Sequence, residues 1–356
     1  MIGKIDKAPK TSFTINNCTV TGELNVGNFS GGFVGAVNAA IPLTMTGCIF
    51  NGTLTAKRVS GGFFGKLMVS GTDNIIANCS IGKDAILNIS TNEGSAGEMG
   101  GFIGRLASAG TLTITNPKML GTLNATFAST ASSGNEYAAA LIGKVDAQNT
   151  VVNVIEPIIT GNLSFVNNNT TSVVETIAIL CAGVKDNTVQ FNYTTSPVWY
   201  DPASVSVPDG MTLYLCGFTA NPSQNTVVGY QTRANGETAY DLRYVVALNL
   251  EYETDYDYVG IEVTINYKNA AQPKTFTAYV EKLYTSVDGD GNTYTAQSLG
   301  GKYLYTIVIE GIPNDINVED ATMQVTLKPF TVKGTGESAV TTVGATATHG
   351  SVAIAE

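Results

Sequence analysis

A glycine-rich phrase that returns along the first half of the chain constrains the fold more than any other feature of the sequence. It occurs as "FSGGFVGAV" at Phe29–Val37, "VSGGFFGKL" at Val59–Leu67, "MGGFIGRL" at Met99–Leu106 and, more weakly, "AALIGKV" at Ala139–Val145. Successive glycines of the phrase, at positions 35, 65, 104, 143 and 183, are 30, 39, 39 and 40 residues apart. Self-similarity at such a period predicts a solenoid, in which each repeat stacks on its neighbours.

A second phrase, in register with the first, defines repeats 1 to 5. It reads "INNCTVTGEL", "MTGCIFNGTL", "IANCSIGKDA", "ITNPKMLGTL" and "VIEPIITGNL". Short runs of Val, Ile, Thr and Phe between Gly and Asn favour strands over helices. The aligned apolar residues form three ladders: Ile15, Met45, Ile76, Ile114 and Val154; Leu24, Leu54, Leu123 and Leu163; Phe33, Phe63, Phe102 and Leu141. Three ladders predict an all-β fold that begins with a three-faced parallel β-helix, with like residues stacked about 4.8 Å apart.

The recurring glycines are expected at tight corners, where the backbone needs a positive φ. Gly22, Gly52, Gly121 and Gly161 occupy one such corner, and repeat 3 has Lys83 there. We expect repeat 3 to be slipped by one residue relative to its neighbours.

The combination "I-x-N-C-x-x-x-G" followed by "G-G-[FL]-[VI]-G" resembles the GLUG-type repeat of bacterial surface proteins. The resemblance spans about residues 13–185, and it departs from the pattern where Pro117 and Pro157 replace the cysteine. It implies an adhesin-like protein that is exported and not catalytic.

The repeats end near residue 218, and the rest of the chain has a different pattern. We divide the sequence into a β-helix domain (1–218), a linker (219–226), an antiparallel β-sandwich (227–332) and a tail or linker strand (333–356). Alternating strand-like runs at regular spacing favour the sandwich. The phrases "RYVVAL", "VGIEV" and "TLKPF" resemble a β-sandwich module of Gram-positive surface proteins. The tail is interpreted either as a linker or as a strand donated to a neighbouring chain.

Charge and hydropathy exclude some partners. A net charge of -10 and a pI near 4.7 oppose nucleic-acid binding, which needs clustered Lys or Arg. No apolar run approaches the roughly 20 residues of a membrane span, so we expect no membrane insertion by this segment. A composition poor in Lys and rich in Thr and Asn indicates an extracellular, cell-surface location.

Candidate catalytic and metal-binding residues are scarce. His349 is the single histidine of the chain, which argues against His-based catalysis and His-rich metal sites. Cys18, Cys48 and Cys79 share one position in three repeats and are interpreted as buried apolar fillers, since no C-x-x-C spacing occurs. We therefore predict no enzyme, no metal and no cofactor.

A basic stripe follows the recurring glycine. Lys66, Arg105 and Lys144 take this position in repeats 2 to 4, flanked in the alignment by Ala36 and Val184. The stripe is either a set of solvated side chains or a site for carboxylated or sulfated ligands.

Insertions in repeats 3 to 5 supply the other candidate site. The distance from the Cys/Pro position to the Gly-Gly position is 13 residues in repeats 1 and 2, and 21 or 22 in the later ones. Loops are therefore expected at Ser90–Met99, Ser129–Tyr137 and Val166–Thr176, at one edge of adjacent repeats. The candidate ligand-binding residues are Asn92, Glu93, Glu98, Asn135, Glu136, Tyr137, Asn167, Asn168, Asn169 and Glu175. Insertions on one face of a repeat array are often its binding surface, although neutral variation of loop length gives the same pattern.

These observations favour an extracellular structural or adhesive protein that presents a loop-built surface to a host or neighbouring-cell glycan or protein. A second hypothesis is a subunit that assembles with further copies of itself into a filament or layer. The third, a polysaccharide-processing enzyme, would need a pair of acids in a cleft.

Overall fold

The structure is a computed structural model of the 356-residue chain. It describes residues 2–7, 12–91, 97–128, 134–170, 174–193, 198–200, 204–211, 213–218, 226–234, 239–247, 257–266, 272–281, 285–287, 293–295, 304–313, 323–343 and 347–352.

The chain divides into two compact units. The first, called the parallel unit, comprises Met1–Tyr193 and Ala203–Asn221, and the second, called the antiparallel unit, comprises Thr194–Pro202 and Pro222–Glu356. The described part contains strands and no α-helix. It therefore holds no helix that could span a membrane.

Every repeat of the parallel unit contributes strands to the same series of positions, and neighbouring repeats pair in parallel. Position 1 holds Phe13–Asn16, Leu43–Thr46, Asn74–Ala77, Gly110–Thr115, Thr150–Ile155 and Gln190–Asn192. Position 2 holds Thr19–Val20, Ile49–Phe50, Ser80–Ile81, Lys118–Met119 and Ile158–Ile159.

Positions 3 to 5 belong to one long bent sheet. Position 3 holds the first halves of Glu23–Gly31 and Thr53–Gly61, then Ile86–Ser90, Thr122–Phe127, Leu163–Asn167 and Val205–Ser206. Position 4 holds the second halves of those two long strands, then Glu98–Gly100, Glu136–Ala139, the start of Glu175–Val184, and Leu213–Cys216. Position 5 holds Ile2–Ile5, Val34–Val37, Phe64–Leu67, Ile103–Leu106, Ile142–Val145 and the end of Glu175–Val184. Parallel stacking of this kind is consistent with a β-helix.

The predicted ladders form the core of the parallel unit. Phe33, Phe63, Phe102 and Leu141 are all buried. Ring centroids lie 5.1 Å apart between Phe33 and Phe63, and 4.8 Å apart between Phe63 and Phe102. Like residues therefore stack at about one strand spacing, as the alignment predicted.

The phrase glycines are required for a reason that differs from the predicted one. None of glycines 31, 32, 61, 62, 100 and 101 has a positive φ. A Cβ on Gly62 would instead overlap the carbonyl oxygen of Gly101 in the next repeat, and a Cβ on Gly104 would lie 2.6 Å from the amide nitrogen of Ser60. Close backbone approach between strands, rather than corner conformation, excludes side chains here.

Of the glycines predicted at one corner, Gly22 has a positive φ of 91°, but Gly52, Gly121 and Gly161 do not, and a different set of residues recurs in the left-handed conformation. They directly precede the Cys/Pro position, between strand positions 1 and 2: Asn17, Gly47, Asn78, Asn116 and Glu156, with φ between 49° and 61°. Asparagine tolerates this conformation better than most residues because its side chain hydrogen-bonds locally. The "N-C" and "N-P" dipeptides are therefore a corner signal that our sequence analysis did not use.

Two details of the predicted register are wrong. In repeat 3, Ile81 pairs with Phe50 and Leu87 with Leu54, so the intervening corner is two residues longer, not slipped by one. In repeat 5, Gly183 pairs with Lys144, so Gly183 and not Val184 occupies the position that follows Lys144 in the stack. The first error arose because the alignment allowed no change of length within a phrase, and the second because it matched Gly183 to Gly143, whose position Ala182 takes.

A sixth repeat follows, formed by Gln190–Asn192, Val205–Ser206 and Leu213–Cys216. The last of these pairs with Glu175–Val184. The phrase "MTLYLCGF" therefore belongs to the stack.

The antiparallel unit contains two antiparallel sheets and a hairpin. The first sheet comprises Thr226–Ala234, Ala239–Ala247 and Leu304–Pro313, and the second Lys274–Glu281, Tyr258–Asn266, Met323–Lys333, Val340–Val343 and Ala347–Val352. The hairpin pairs Thr285–Val287 with Thr293–Thr295, Trp199–Tyr200 is a short strand, and Gly336–Ser338 is a 3₁₀ turn. Residues 333–356, expected to be a tail or linker strand, thus contribute two strands that pair within their own unit.

Candidate binding surface

The corner between strand positions 3 and 4 differs between the early and the later repeats. In repeats 1 and 2 the strand continues through it, and a single residue with left-handed φ makes the bend, Phe29 at 56° and Arg58 at 62°. In repeat 3, Ser90 pairs with Lys57 and Glu98 with Val59. Residues 91–97 therefore take the place of Arg58 alone.

Repeats 4 and 5 carry their insertions at the same corner. Thr126 pairs with Ser90 before the loop, and Tyr137 pairs with Glu98 after it. Repeat 5 follows repeat 4 in the same register, through Val166 and Thr176. The three loops therefore leave the stack side by side at one edge, which we call the loop edge.

The described residues of the loop edge are mostly polar. Asn135 and Asn168 are exposed, whereas Asn167 and Asn169 are partly buried. The side-chain amide of Asn169 donates a hydrogen bond to the Glu175 carboxylate, and its backbone N–H donates to Asn167 Oδ1 at 2.8 Å. Asn92 and Glu93 lie outside the described residues.

Glu98 and Glu136 do not lie on the loop surface where the sequence analysis placed them. Glu98 is 4% exposed and Glu136 is fully buried, because both belong to strands at position 4. The alignment could not show this, since it assigned the whole insertion to a loop.

Glu98 forms an ion pair with the basic stripe. Arg105 donates two hydrogen bonds to its carboxylate, one of them from Nη2 to Oε1 at 2.8 Å. Burial alone would lower the pKa of the Arg105 guanidinium, but the hydrogen bonds to Glu98 and the charges of Glu98 and Asp146 together more than offset it and raise that pKa. Arg105 is therefore held inside the repeat array rather than extended into solvent.

Asp146 pairs with Lys144 and Lys185. Lys144 Nζ lies 2.9 Å from Asp146 Oδ1 and 3.8 Å from Glu98 Oε1. Lys185 Nζ lies 3.8 Å from Asp146 Oδ1. Lys144 also lies 5.3 Å from the centre of the Tyr137 ring, within the range of a cation–π contact.

Lys66 differs from the other two cations, because it donates a hydrogen bond to the neutral side chain of Asn38 at 3.2 Å. The interpretation of the stripe as splayed, solvated cations is wrong for Arg105 and Lys144. Their side chains are 23% and 18% exposed, and acids neutralise them. The acids were missed because Glu98 was assigned to a loop and Asp146 follows the repeated phrase by one residue.

Glu136 is the one fully buried carboxyl of the described loop edge. Neither of its carboxylate oxygens makes a hydrogen bond of normal geometry, although the Thr91 hydroxyl lies close enough to interact with the carboxyl. Burial raises its pKa, the Thr91 side chain opposes this, and the charge of Glu175 in the neighbouring strand raises it further. Glu136 and Glu175 are directly paired in register.

The cysteines carry no disulfide in the structure. Cys48, Cys79, Cys181 and Cys216 are buried, and burial raises the pKa of Cys79 and of Cys181 to about 12. Such thiols are poor nucleophiles. Cys18 is exposed because it lies in repeat 1, at the end of the stack, so the filler interpretation is wrong for this residue.

Within the described ranges, no group of three or more His, Cys, Asp or Glu side chains is arranged to hold a metal ion. A comparison of the sequence with models of known protein families gave no match. A comparison with curated proteins also gave none.

Proposed function

We propose that the chain is an extracellular adhesive or structural protein, in which a parallel β-helix of GLUG type presents the loop edge to a glycan or protein of a host or neighbouring cell. In the same proposal, the two antiparallel sheets form a β-sandwich module. The supporting observation is that three consecutive repeats insert a loop at one corner, where repeats 1 and 2 use one residue.

The chemistry of the loop edge favours a hydroxyl-rich ligand. The exposed Asn135 and Asn168 offer amide donors and acceptors, which match sugar hydroxyls. The charge of Glu175, which is partly buried at this edge, disfavours anionic ligands. The cations of the stripe do not alter this preference, because Arg105 and Lys144 are engaged by Glu98 and Asp146.

The test is a loop-shortened variant that keeps the buried residues at the base of each loop. Residues 92–96, 128–135 and 168–174 are each replaced by two glycines, which preserves Thr91, Phe127 and Glu136. In repeat 3 the two ends are close enough for this, because a Cβ on Gly97 would overlap the Thr91 methyl. On a glycan array, the parent chain should bind a defined set of neutral glycans, and the variant should lose them.

If the parent and the loop-shortened variant bind glycans equally and melt at equal temperatures, the loop edge is not the ligand-binding surface. Asn135→Ala with Asn168→Ala is a milder change that tests the same surface without shortening the chain. Its expected result is partial loss of the same signals.

Self-assembly is the second candidate, and the first repeat supports it. Ile2–Ile5, Phe13–Asn16, Thr19–Val20 and Glu23–Gly31 each lie at the end of their sheet. Strand edges of this kind can pair with another chain. Light scattering across a concentration series tests this: a second copy predicts a mass that rises with concentration, and a constant monomer mass contradicts it.

A third candidate, a polysaccharide-processing enzyme, has less support. Glu136 and Glu175 are adjacent acids, but Glu136 is fully buried rather than open to a cleft. We propose no catalytic role for either residue.

A further inference from the structure

We infer that the base of the loop edge binds a hard divalent cation, Ca²⁺ being the best fit, between the carboxylates of Glu136 and Glu175. This site is separate from the exposed amides of the proposed glycan surface, and its existence does not depend on what those amides bind.

Glu136 lies in an environment that favours a bound cation. Its carboxyl group is fully buried, and neither oxygen makes a hydrogen bond of normal geometry, although the Thr91 hydroxyl lies close enough to interact with it. Buried polar groups in native proteins are nearly always satisfied. No lysine or arginine of the described ranges forms an ion pair with it. A charged carboxylate buried in this way is costly unless a cation pairs with it or a proton neutralises it.

A second acid, Glu175, lies beside Glu136. Glu136 and Glu175 are directly paired in adjacent parallel strands, which places their backbones about 4.8 Å apart and their side chains on the same side. A divalent cation would neutralise both acids, whereas a single proton would leave one of them charged.

The remaining oxygen ligands suit calcium. Thr91 is buried beside Glu136, and its hydroxyl oxygen accepts a hydrogen bond from the Ala128 N–H at 2.7 Å, which leaves a second lone pair. Glu175 is oriented by Asn169, which donates to Oε1. Calcium takes six to eight oxygen ligands in flexible geometry, among them carboxylates, amide carbonyls and water. Two carboxylates and neutral oxygens are typical of weaker calcium sites, with dissociation constants of roughly 10⁻⁴–10⁻³ M.

The position of the site gives it a consequence for the loops. Glu136 ends the loop of repeat 4, Glu175 ends that of repeat 5, and Thr91 begins that of repeat 3. A cation at this point would connect the bases of all three loops.

The experiment is calcium titration of the full chain after EDTA treatment, by isothermal titration calorimetry and by melting temperature. CaCl₂ at ten times the dissociation constant should raise the melting temperature by roughly 3–6 °C, and NaCl of equal ionic strength should not. Glu136→Gln and Glu175→Gln should each weaken calcium binding by about tenfold or more, because ligand charge sets affinity. Glu23→Gln, which changes an exposed carboxylate in repeat 1, is the matched control and should bind calcium as the parent does.

Absence of a calcium response in the parent, or equal calcium affinity in Glu136→Gln and the parent, would overturn the inference. The glycan array of the parent in EDTA separates this result from the proposed function. Glycan binding without calcium leaves the adhesive proposal intact whatever the titration shows, and calcium binding by a chain that binds no glycan leaves the cation site intact.

Discussion

Repeats 1 and 2 and repeats 3 to 5 have the same core and different corners. The aromatic ladder runs from Phe33 through Phe63 to Phe102 and continues at Leu141 without interruption. At the corner, one left-handed residue such as Arg58 gives way to a loop such as 91–97. The stacking of the repeats is therefore determined by the side chains that point into the core. A corner that points outward can change in length without moving the strands on either side of it.

The two groups of repeats also differ in electrostatics. Val59 in repeat 2 is paired in register with Glu98 in repeat 3, and Lys66 with Arg105. An acid therefore appears beside the stripe in the repeat where the loops begin. The later repeats thus combine polar loops with an internal ion-pair network, and repeat 2 has neither.

The largest expected effect tests the shared core. Phe63→Ala and Phe102→Ala should each reduce the free energy of unfolding by about 3–5 kcal/mol, because both rings are fully buried. Urea unfolding followed by circular dichroism measures the loss. A loss below about 1 kcal/mol for one of them alone would show that the two groups of repeats do not share a core.

The second prediction concerns the ion pair that distinguishes the later repeats. Arg105→Ala should cost about 2–3 kcal/mol, because it leaves the buried Glu98 with Lys144 alone at 3.8 Å. Lys66→Ala is the control from repeat 2 and should cost less than about 1 kcal/mol, since its partner Asn38 is neutral. Equal losses in urea unfolding would contradict the difference between the repeats.

The third prediction tests close backbone approach, which both groups share. Gly101→Ala should cost about 1–3 kcal/mol, because the added methyl would overlap the Ala140 carbonyl oxygen. Gly27→Ala is the control, since a Cβ there meets nothing within 4 Å, and it should change stability by less than about 0.5 kcal/mol. If both variants melt at the same temperature as the parent, close backbone approach is not the reason that glycine recurs in the phrase.

The fourth prediction uses the raised pKa of Glu136. A carboxyl whose folded pKa is above its ordinary value of 4.5 stabilises the fold when protonated, and this contribution is lost as the pH rises through the folded pKa. In EDTA, Glu136→Gln should therefore melt at a higher temperature than the parent at pH 8. The difference should shrink as the pH falls toward 4. A variant that melts below the parent at pH 8 would show that the charged carboxylate is satisfied.

The ladders could be predicted from sequence because stacking places like residues at fixed positions, and Phe33, Phe63 and Phe102 recur in identical phrases. The loop edge followed from spacing alone. The Arg105–Glu98 pair could not be predicted. Its residues lie on the strands Glu98–Gly100 and Ile103–Leu106, and the bend between these strands has a geometry that depends on tertiary packing. The burial of Glu136 and Thr91 could not be predicted for a similar reason. Both residues lie at the ends of segments that the spacing assigns to loops, and the sequence does not show where a loop ends and a buried strand begins.

The most direct test of the account is the unfolding free energy of the loop-shortened variant. If the loops are additions to a complete stack, shortening all three should change the free energy of unfolding by less than about 1 kcal/mol, since loop length contributes only a slowly varying entropy. The far-UV circular dichroism spectrum should keep its strand signal. A loss of more than about 3 kcal/mol would contradict the claim, because it would make the loops part of the structure that holds the repeats together.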